Sequence, residues 1–345
     1  MSKRLLWLAG VLVLLALPLY LEAQWLKAGQ YMMIGAVGAI GLTLLTGQAG
    51  QLSLAHGFFL LVGATSYTVL SGPGDNLVGL GLDPLLALVG AVVITALTGM
   101  AFAPVAGRLR GIYLGVASLA LVFLGLYLGQ EWETLTGGTS TGRAPAAFEL
   151  FGFSFSNSGE FAIAGLPIRG AERIWYLFLA LLAIAYLLAR GAVRTRAGRS
   201  WRAVRDNEAA ATAMGVDVAR TKAAVFAVSS AYAGLAGVMT VLWFDILKPD
   251  ESEFGTYGVN TSIAFLAMVI IGGLGSVTGA VVGALVVFGL PQLLTLYSTD
   301  LGWFTGSITP VLVSSFVYGA AIVLVVLFEP GGLAALGRRL KELRR

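Results

Sequence analysis

The 345-residue sequence contains no cysteine and a single histidine, His56. The absence of cysteine excludes disulfides, thiolate nucleophiles, Cys-ligated zinc and iron–sulfur clusters, and one histidine excludes a multi-histidine metal site. Charge is also scarce, because 12% of the residues are Asp, Glu, Lys or Arg, whereas soluble domains contain about 25%. No lysine follows a glycine, so the sequence lacks the P-loop pattern G-x-x-x-x-G-K-[ST] with which ATPases bind nucleotide.

Apolar residues make up 57% of the sequence, more than a soluble protein of this length can bury. We therefore expect one all-α membrane domain over residues 1–345, whose first span is an uncleaved anchor. A helix needs about 20 apolar residues to cross a bilayer. The ten segments that meet this need are 5–26, 30–47, 52–71, 84–105, 112–130, 173–190, 223–244, 258–273, 277–298 and 308–328. Segment 258–298 also fits a re-entrant pair.

The basic residues predict the orientation of the spans, because cytoplasmic loops carry an excess of Lys and Arg. With both termini in the cytoplasm, 17 of the 22 Lys and Arg residues fall on that side. The loop 191–222 is then cytoplasmic, and the loop 131–172 is extracytoplasmic. Membrane orientation accounts for the net charge of +4, so no nucleic-acid partner is needed.

Ionisable residues are nearly absent from the interior of the predicted spans: His56 lies near the start of the third, and Glu329 lies at the inner end of the last one. Proton-coupled transporters usually carry acidic or basic residues within their spans. The sequence therefore disfavours proton coupling, while sodium coupling through backbone carbonyls stays open. Because there is no P-loop, ATP-driven transport would require energy from another subunit.

A glycine-rich stretch, Gly47 to Gly57, interrupts the second and third spans. Its polar side chains Gln48, Gln51 and Ser53 predict an unwound helix whose backbone groups face a substrate cavity. The alternative is a tight turn in which the glutamines cap backbone groups. His56 fits either a packing role or a substrate contact.

Two further glycine motifs have a functional and a structural interpretation. Gly137, Gly138 and Thr139 can present backbone N–H groups to a carboxylate, or they can form a flexible turn. Arg143, in the same loop, can pair with acidic groups of a docking protein or be solvated.

A repeat of small residues on one face of a helix is formed by Gly275, Gly279 and Gly283. Such a repeat favours close packing against a neighbouring helix.

The segment from Arg190 to Lys222 is predicted to form two short helices, of which the first runs from Trp201 to Met214, with Ser200 as its N-cap and Gly215 as its end. Asp217 is placed to cap the helix that leads into the seventh span.

Small residues in this helix, including Ala210 and Ala211, let it seat closely in a groove of a partner protein. Arg202 and Asp206 are spaced to form an ion pair on its exposed side. The alternative is a basic loop that contacts lipid headgroups.

The stretch Gly198 to Gly215 resembles the EAA loop of bacterial ABC importer permeases, and more narrowly that of branched-chain amino acid permeases of the LivH/LivM type. It departs from the EAA pattern because the acid is Glu208, one residue before the expected position, which Ala209 occupies. The resemblance extends to other parts of spans two to nine, namely Gly47 to Gly57, Leu109 to Tyr113, Thr136 to Thr139 and Ile271 to Ser276.

This resemblance implies a type II importer permease in the bacterial plasma membrane. The implied partners are a second permease, two cytoplasmic ATPases that use ATP and magnesium, and an extracytoplasmic substrate-binding protein. The chain itself would bind no cofactor. The residues implied in ATPase coupling are Trp201, Arg205, Glu208, Ala210, Ala211, Gly215 and Asp217.

Branched-chain amino acids are the cargo that the resemblance implies, and related permeases carry urea, amides or aromatic acids. The permease pair can be homodimeric or heterodimeric. Two other classes stay open: a self-contained channel or secondary transporter, and a polytopic membrane enzyme. The enzyme is disfavoured by the lack of Cys, of further His and of paired carboxylates within the spans.

Overall fold

The computed structural model describes residues 10, 12–74, 77–109, 111–150, 152–155, 162–163, 166–167, 169–250, 257–301, 310–328 and 331–335. Most of these residues are helical. The helices are α1 (Ala23–Leu42), α2 (His56–Ser71), α3 (Pro84–Arg108), α4 (Ile112–Glu131), α5 (Gly170–Arg194), α6 (Arg196–Asp206), α7 (Glu208–Ala213), α8 (Val218–Phe244), α9 (Val259–Gly272), α10 (Val277–Leu301) and α11 (Pro310–Phe328).

The described structure also contains shorter elements. A 3₁₀ turn, Leu17–Leu19, precedes α1, a π-helical turn, Thr43–Gln48, extends it, and a single helical turn, Glu133–Thr136, follows α4. Two small antiparallel hairpins lie in the predicted outer loop. They pair β1 (Glu149–Leu150) with β2 (Phe153–Ser154), and β3 (Ala162–Ile163) with β4 (Leu166–Pro167).

Six helices of the described residues are long and apolar enough to cross a membrane, which confirms a polytopic membrane protein. They match six of the predicted spans, and the count of ten and the orientation stay predictions. Most of the predicted segment 5–26 precedes α1, and part of it, like part of 308–328, lies outside the described residues. The six helices are Ala23–Gln48, Pro84–Arg108, Ile112–Glu131, Gly170–Arg194, Val218–Phe244 and Val277–Thr295.

Helices α2 and α9 are markedly shorter than a bilayer. Helix α2 has 16 residues and α9 has 14, which correspond to about 24 Å and 21 Å at a rise of about 1.5 Å per residue. The hydrocarbon core is about 30 Å thick. Non-helical residues 50–55 precede α2, and a turn of residues 273–276 joins α9 to α10. Segment 258–298 is therefore a helical hairpin.

Helices α1 and α8 form the centre of the bundle. Helix α8 packs against α1, α2 and α3, and α1 also packs against α5 and α10. Close approach depends on small residues: a Cβ at Gly63 of α2 would overlap the Cα of Gly234 of α8. Both central helices are mostly buried, whereas α3 and α5 expose apolar side chains at the periphery.

The connections predicted to share a side of the membrane meet at the same end of the bundle. At one end, here called the basic end, α6 contacts Gly47 and Gln48, which also contact the turn at Gly275. At the opposite end, the Val78 N–H donates to the Thr134 carbonyl at 3.0 Å, and the Gln130 side chain donates to the Pro249 carbonyl at 3.2 Å. The helices therefore alternate in direction as the sequence predicts.

Candidate coupling loop and translocation site

The segment Trp201 to Met214 is divided between α6 and α7, so the prediction that it forms one continuous helix is wrong. Asn207, with φ −162° and ψ 110°, separates α6 from α7. Its side-chain oxygen accepts a hydrogen bond from the Ala210 N–H at 3.0 Å and caps α7. Ser200 is not an N-cap, because it lies inside α6, where its hydroxyl donates to the Arg196 carbonyl.

Helix α6 lies against the bundle through one apolar face, since Trp201 and Val204 are both 3% exposed. The Arg202 side chain turns inward, and its Nη1 donates to the Val193 carbonyl at 3.1 Å and to Gln48 Oε1 at 3.2 Å. Asp206 instead pairs with Arg205 at 2.9 Å. The predicted Arg202–Asp206 pair is therefore wrong, because Arg202 finds acceptors in the bundle.

Helix α7 presents small residues to solvent. Ala210 is exposed and Met214, just beyond the helix, is 86% exposed, whereas Ala211 is 3% exposed. Ala211 therefore packs within this chain, and the surface open to a partner protein lies on the other side of α7. Gly215 has a φ of +81°, which ends the loop helix as predicted. The predicted cap by Asp217 is confirmed, because its carboxylate accepts from the Arg220 N–H at 3.0 Å.

A largely buried ion pair fixes α7 to α8. Glu208 Oε1 lies 2.7 Å from Lys222 Nζ, and the side chains are 29% and 3% exposed, respectively. Loss of one partner would leave an uncompensated charge inside the protein. Sequence reasoning counted Lys222 among the cytoplasmic basic residues but missed its ion pair, although it is the only lysine in the loop and stands at the start of an apolar helix.

The interrupted segment after α1 packs against two other elements. Gln48 is 5% exposed, and its Nε2 donates to the Gly275 carbonyl at 2.6 Å. The Gly47 carbonyl accepts from Arg205 Nη1 at 3.0 Å. A Cβ at Gly47 would overlap the Gly275 backbone nitrogen, so the two chain segments touch directly. Sequence reasoning placed these segments in separate motifs and did not join them.

Gln51 and Ser53, also predicted to line a cavity, are 6% and 1% exposed. Within the described part of the chain, Gln51 Oε1 is buried without a hydrogen-bond partner. The Ser53 hydroxyl accepts from the Ala55 N–H at 3.3 Å. An unpaired amide oxygen at this depth is costly unless another molecule bonds to it. The role of these residues in a pathway stays a prediction.

His56 begins α2 and is 1% exposed. Its Nε2 donates to the Gly38 carbonyl at 2.9 Å, and its ring centroid lies 5.1 Å from that of Phe265. The Gly57 N–H donates to the Ser262 hydroxyl at 2.9 Å. Of the two interpretations of His56, this environment favours packing.

Gly137 and Gly138 form a turn with φ values of +76° and +71°. The Gly137 N–H donates to the Glu133 carbonyl at 2.8 Å, and the Gly138 N–H donates to the Thr136 hydroxyl at 3.2 Å. These two groups are thus already bonded, which favours the turn interpretation, while Thr139 is exposed beside them.

Arg143 does not reach solvent, because it is 4% exposed. Its Nη1 donates to the Val78 carbonyl at 2.7 Å and to the Leu135 carbonyl at 3.0 Å. The expectation that Arg143 is solvated or pairs with a docking protein is therefore wrong: backbone carbonyls of two neighbouring segments hold it inside the outer loops.

The glycine repeat divides between a turn and a helix. Gly275, with a φ of +80°, belongs to the turn before α10. Gly279 and Gly283 lie in α10, where added Cβ atoms would overlap the carbonyls of Gly272 and Met268 in α9. These two glycines permit the close packing of the hairpin.

A cavity of about 260 Å³ lies between α2 and α4, towards the opposite end from the loop. Its wall is largely apolar, with hydroxyls at Thr65, Ser66 and Thr136. Sequence reasoning missed this cavity, since scattered hydroxyls in apolar helices give no periodic signal. Its lining residues are Phe58, Leu61, Val62, Thr65, Ser66, Gly125, Leu128, Gly129, Trp132, Leu135 and Thr136. Among the described residues, no group of three or more His, Asp or Glu side chains could hold a metal ion.

An interrupted bundle of apolar helices with a basic two-helix loop defines a multi-pass membrane protein of the permease class. The family model for the permease component of the branched-chain amino acid transport system matches residues 25–326, and the chain belongs to this family. It is thus related to the permease subunits of ABC transporters, which are transport components and not enzymes.

The chain is similar to curated relatives over nearly all of its length. It is 26% identical to LivM, a high-affinity branched-chain amino acid permease of Escherichia coli K12, over 97% of this chain and 76% of the relative. It is 27% identical to LivH of Salmonella typhimurium, over 88% and 91%. It is also 27% identical to a probable LivM of Methanocaldococcus jannaschii, over 96% and 92%. No solved structure matches the chain.

Proposed function

We propose that this chain is the membrane-spanning permease subunit of an ABC importer in the bacterial inner membrane. It acts with a second permease, two cytoplasmic ATPases and an extracytoplasmic substrate-binding protein. ATP and magnesium bind to the ATPases, since this sequence has no P-loop. Support comes from the family and from relatives that are named as LivM and LivH permeases.

The observation that carries the ATP-driven function is the arrangement of α6 and α7. Helix α6 is packed on the bundle, while α7 stands beside it and exposes Ala210 and Met214. The ion pair between Glu208 and Lys222 holds α7 in place at 2.7 Å. A small, fixed helix with one protruding methionine suits insertion into a groove of an ATPase, because little conformational entropy is lost on docking.

The cargo we propose is a branched-chain amino acid. The cavity between α2 and α4 is largely apolar and, at about 260 Å³, lies just below the range of about 300–1,000 Å³ typical of sites for drug-sized ligands. None of its described lining residues carries a charge, so it suits a small aliphatic group. Weak contacts of this kind also allow release, whereas a strong site would retain the substrate.

Reconstitution of the co-purified complex tests this function. We expect the permease, purified in mild detergent, to bring ATPase subunits with it, and proteoliposomes to take up labelled leucine only with ATP and the binding protein. Labelled urea and phenylalanine test the alternative cargoes. Leucine uptake by the chain alone, without ATPase subunits, would instead establish a channel or a secondary transporter.

A further inference from the structure

A chain of hydrogen bonds joins the basic loop to two other segments at the basic end of the bundle. Arg202 Nη1 in α6 donates to Gln48 Oε1 at 3.2 Å, and Gln48 Nε2 donates to the Gly275 carbonyl at 2.6 Å. One amide side chain thus connects three elements that are distant in sequence: α6, the π-helical end of α1, and the turn between α9 and α10.

Backbone packing around this chain leaves little room for the elements to slide. Gly47 and Gly275 touch through their backbones, and a Cβ at Gly50 would lie 2.7 Å from Arg205 Cγ. Arg205 Nη1 also donates to the Gly47 carbonyl at 3.0 Å. A displacement of α6 must therefore break these contacts or carry the neighbouring segments with it.

The two buried glutamines of the interrupted segment differ in their bonding. Gln48 uses both its amide oxygen and its amide nitrogen for bonds within the protein. Gln51 is as deeply buried, yet its Oε1 has no partner in the described part of the chain. Gln48 is thus suited to link elements, whereas Gln51 makes no such link.

We propose that Gln48 is a positioning residue that couples movement of α6 to the turn between α9 and α10. The proposal rests on the proposed function, because an ATPase must move α6. The donor from Arg202 is charged, and a hydrogen bond from a charged donor is stronger than one between neutral groups. A conformation of the bundle that keeps the Arg202–Gln48 bond and one that breaks it would differ in free energy. Such a difference is what couples a movement of α6 to the turn.

The test compares matched variants in the complete reconstituted complex. Gln48→Met keeps the size of the side chain and removes both bonds. Gln30→Met is the matched control, because Gln30 is an equally buried glutamine of α1 whose Nε2 donates instead to the Ala171 carbonyl, at 2.6 Å. Arg202→Met removes the charged donor, and Arg202→Lys retains one. Arg199→Met is the control for charge, since Arg199 is exposed and bonds only weakly to the Arg194 carbonyl, at 3.4 Å.

We expect Gln48→Met and Arg202→Met to keep bound ATPase and basal hydrolysis, and to lower substrate-stimulated hydrolysis and uptake per ATP by about tenfold. The double variant should be no worse than either single variant, because both break the same link. Arg202→Lys should restore most of the coupling, and both controls should match the wild type.

The failures of the two proposals are distinguishable. A wild-type complex without ATP-driven uptake overturns the proposed function. A wild-type complex that transports, together with normal coupling in Gln48→Met or additive losses in the double variant, overturns the link alone. If Gln48→Met does not assemble, Arg202→Met decides, since its side chain is only partly buried and its replacement leaves the core intact.

Discussion

At the scale of single residues, the charged side chains of the basic loop have unequal environments. Glu208 and Lys222 form a largely buried pair, whereas Asp206 and Arg205 pair with 66% and 39% of their side chains exposed. Exposed pairs contribute about 0–1 kcal/mol, while breaking a buried pair costs about 3–5 kcal/mol because a charge is left without a partner. The buried pair should therefore dominate the stability of α7.

Glu208→Gln should lower the melting temperature of the detergent-solubilised protein, because it leaves the Lys222 ammonium buried beside a neutral amide. The partial exposure of Glu208 reduces the loss to about 1–3 kcal/mol. The double variant with Lys222→Met should recover part of this loss. Asp206→Asn is the control and should change the melting temperature little. Equal losses in Glu208→Gln and Asp206→Asn would refute the distinction between the buried and the exposed pair.

Gln51 and Ser53 can be tested as pathway residues because the chain contains no cysteine. Gln51→Cys and Ser53→Cys should react with a small polar thiol reagent in at least one transport state, since the unpaired Gln51 oxygen indicates access by a polar molecule. Val37→Cys, in the core of α1 with 0% exposure, is the unreactive control. Protection of both positions in every state would favour the tight turn.

At the scale of elements, the long apolar helices could be predicted because hydropathy and length depend only on local sequence. The break in the loop helix at Asn207 could not be predicted in this way, since Asn is compatible with a helix interior and with a cap. The Arg202 side chain turns inward because Val193 and Gln48 provide hydrogen-bond acceptors, and Gln48 lies 154 residues away in sequence. Interactions of that kind leave no local pattern.

The exposed side of α7 should carry the ATPase contact. Ala210→Glu and Met214→Glu place a charge where a partner would cover it, and burying an unpaired charge should weaken association by about tenfold or more. Ala197→Glu introduces the same charge at an exposed alanine of α6 and is the control. Co-purification of ATPase measures the effect. Full retention of ATPase by both α7 variants would instead favour the alternative that the loop contacts lipid headgroups.

At the scale of the whole molecule, the clustering of loops at two ends fixes the relative direction of the helices, and the basic residues predict which end is cytoplasmic. Ala210 at the basic end and Thr139 at the opposite end are both exposed. In intact cells, a membrane-impermeant thiol reagent should label Thr139→Cys at once and Ala210→Cys only after permeabilisation. The reverse pattern would invert the predicted orientation.

The cavity between α2 and α4 offers a test of where the cargo passes. Val62 lines it, and Val62→Trp would fill much of its volume of about 260 Å³ with a rigid apolar ring. Because the ring enters an existing void, the cost of overpacking, usually about 1–3 kcal/mol, should be small. We expect leucine uptake to fall by about tenfold, while ATPase association and basal hydrolysis stay unchanged.

The control for this variant is Val89→Trp, which makes the same substitution on α3, where the side chain is 51% exposed at the periphery of the bundle. This change should leave uptake unaffected, because it adds apolar surface away from the cavity. Normal uptake in Val62→Trp would place the pathway elsewhere. A fall in assembly or basal hydrolysis in Val62→Trp alone would show that the cavity is needed for folding. The smaller substitution Val62→Leu would then distinguish an effect on substrate passage from an effect on packing.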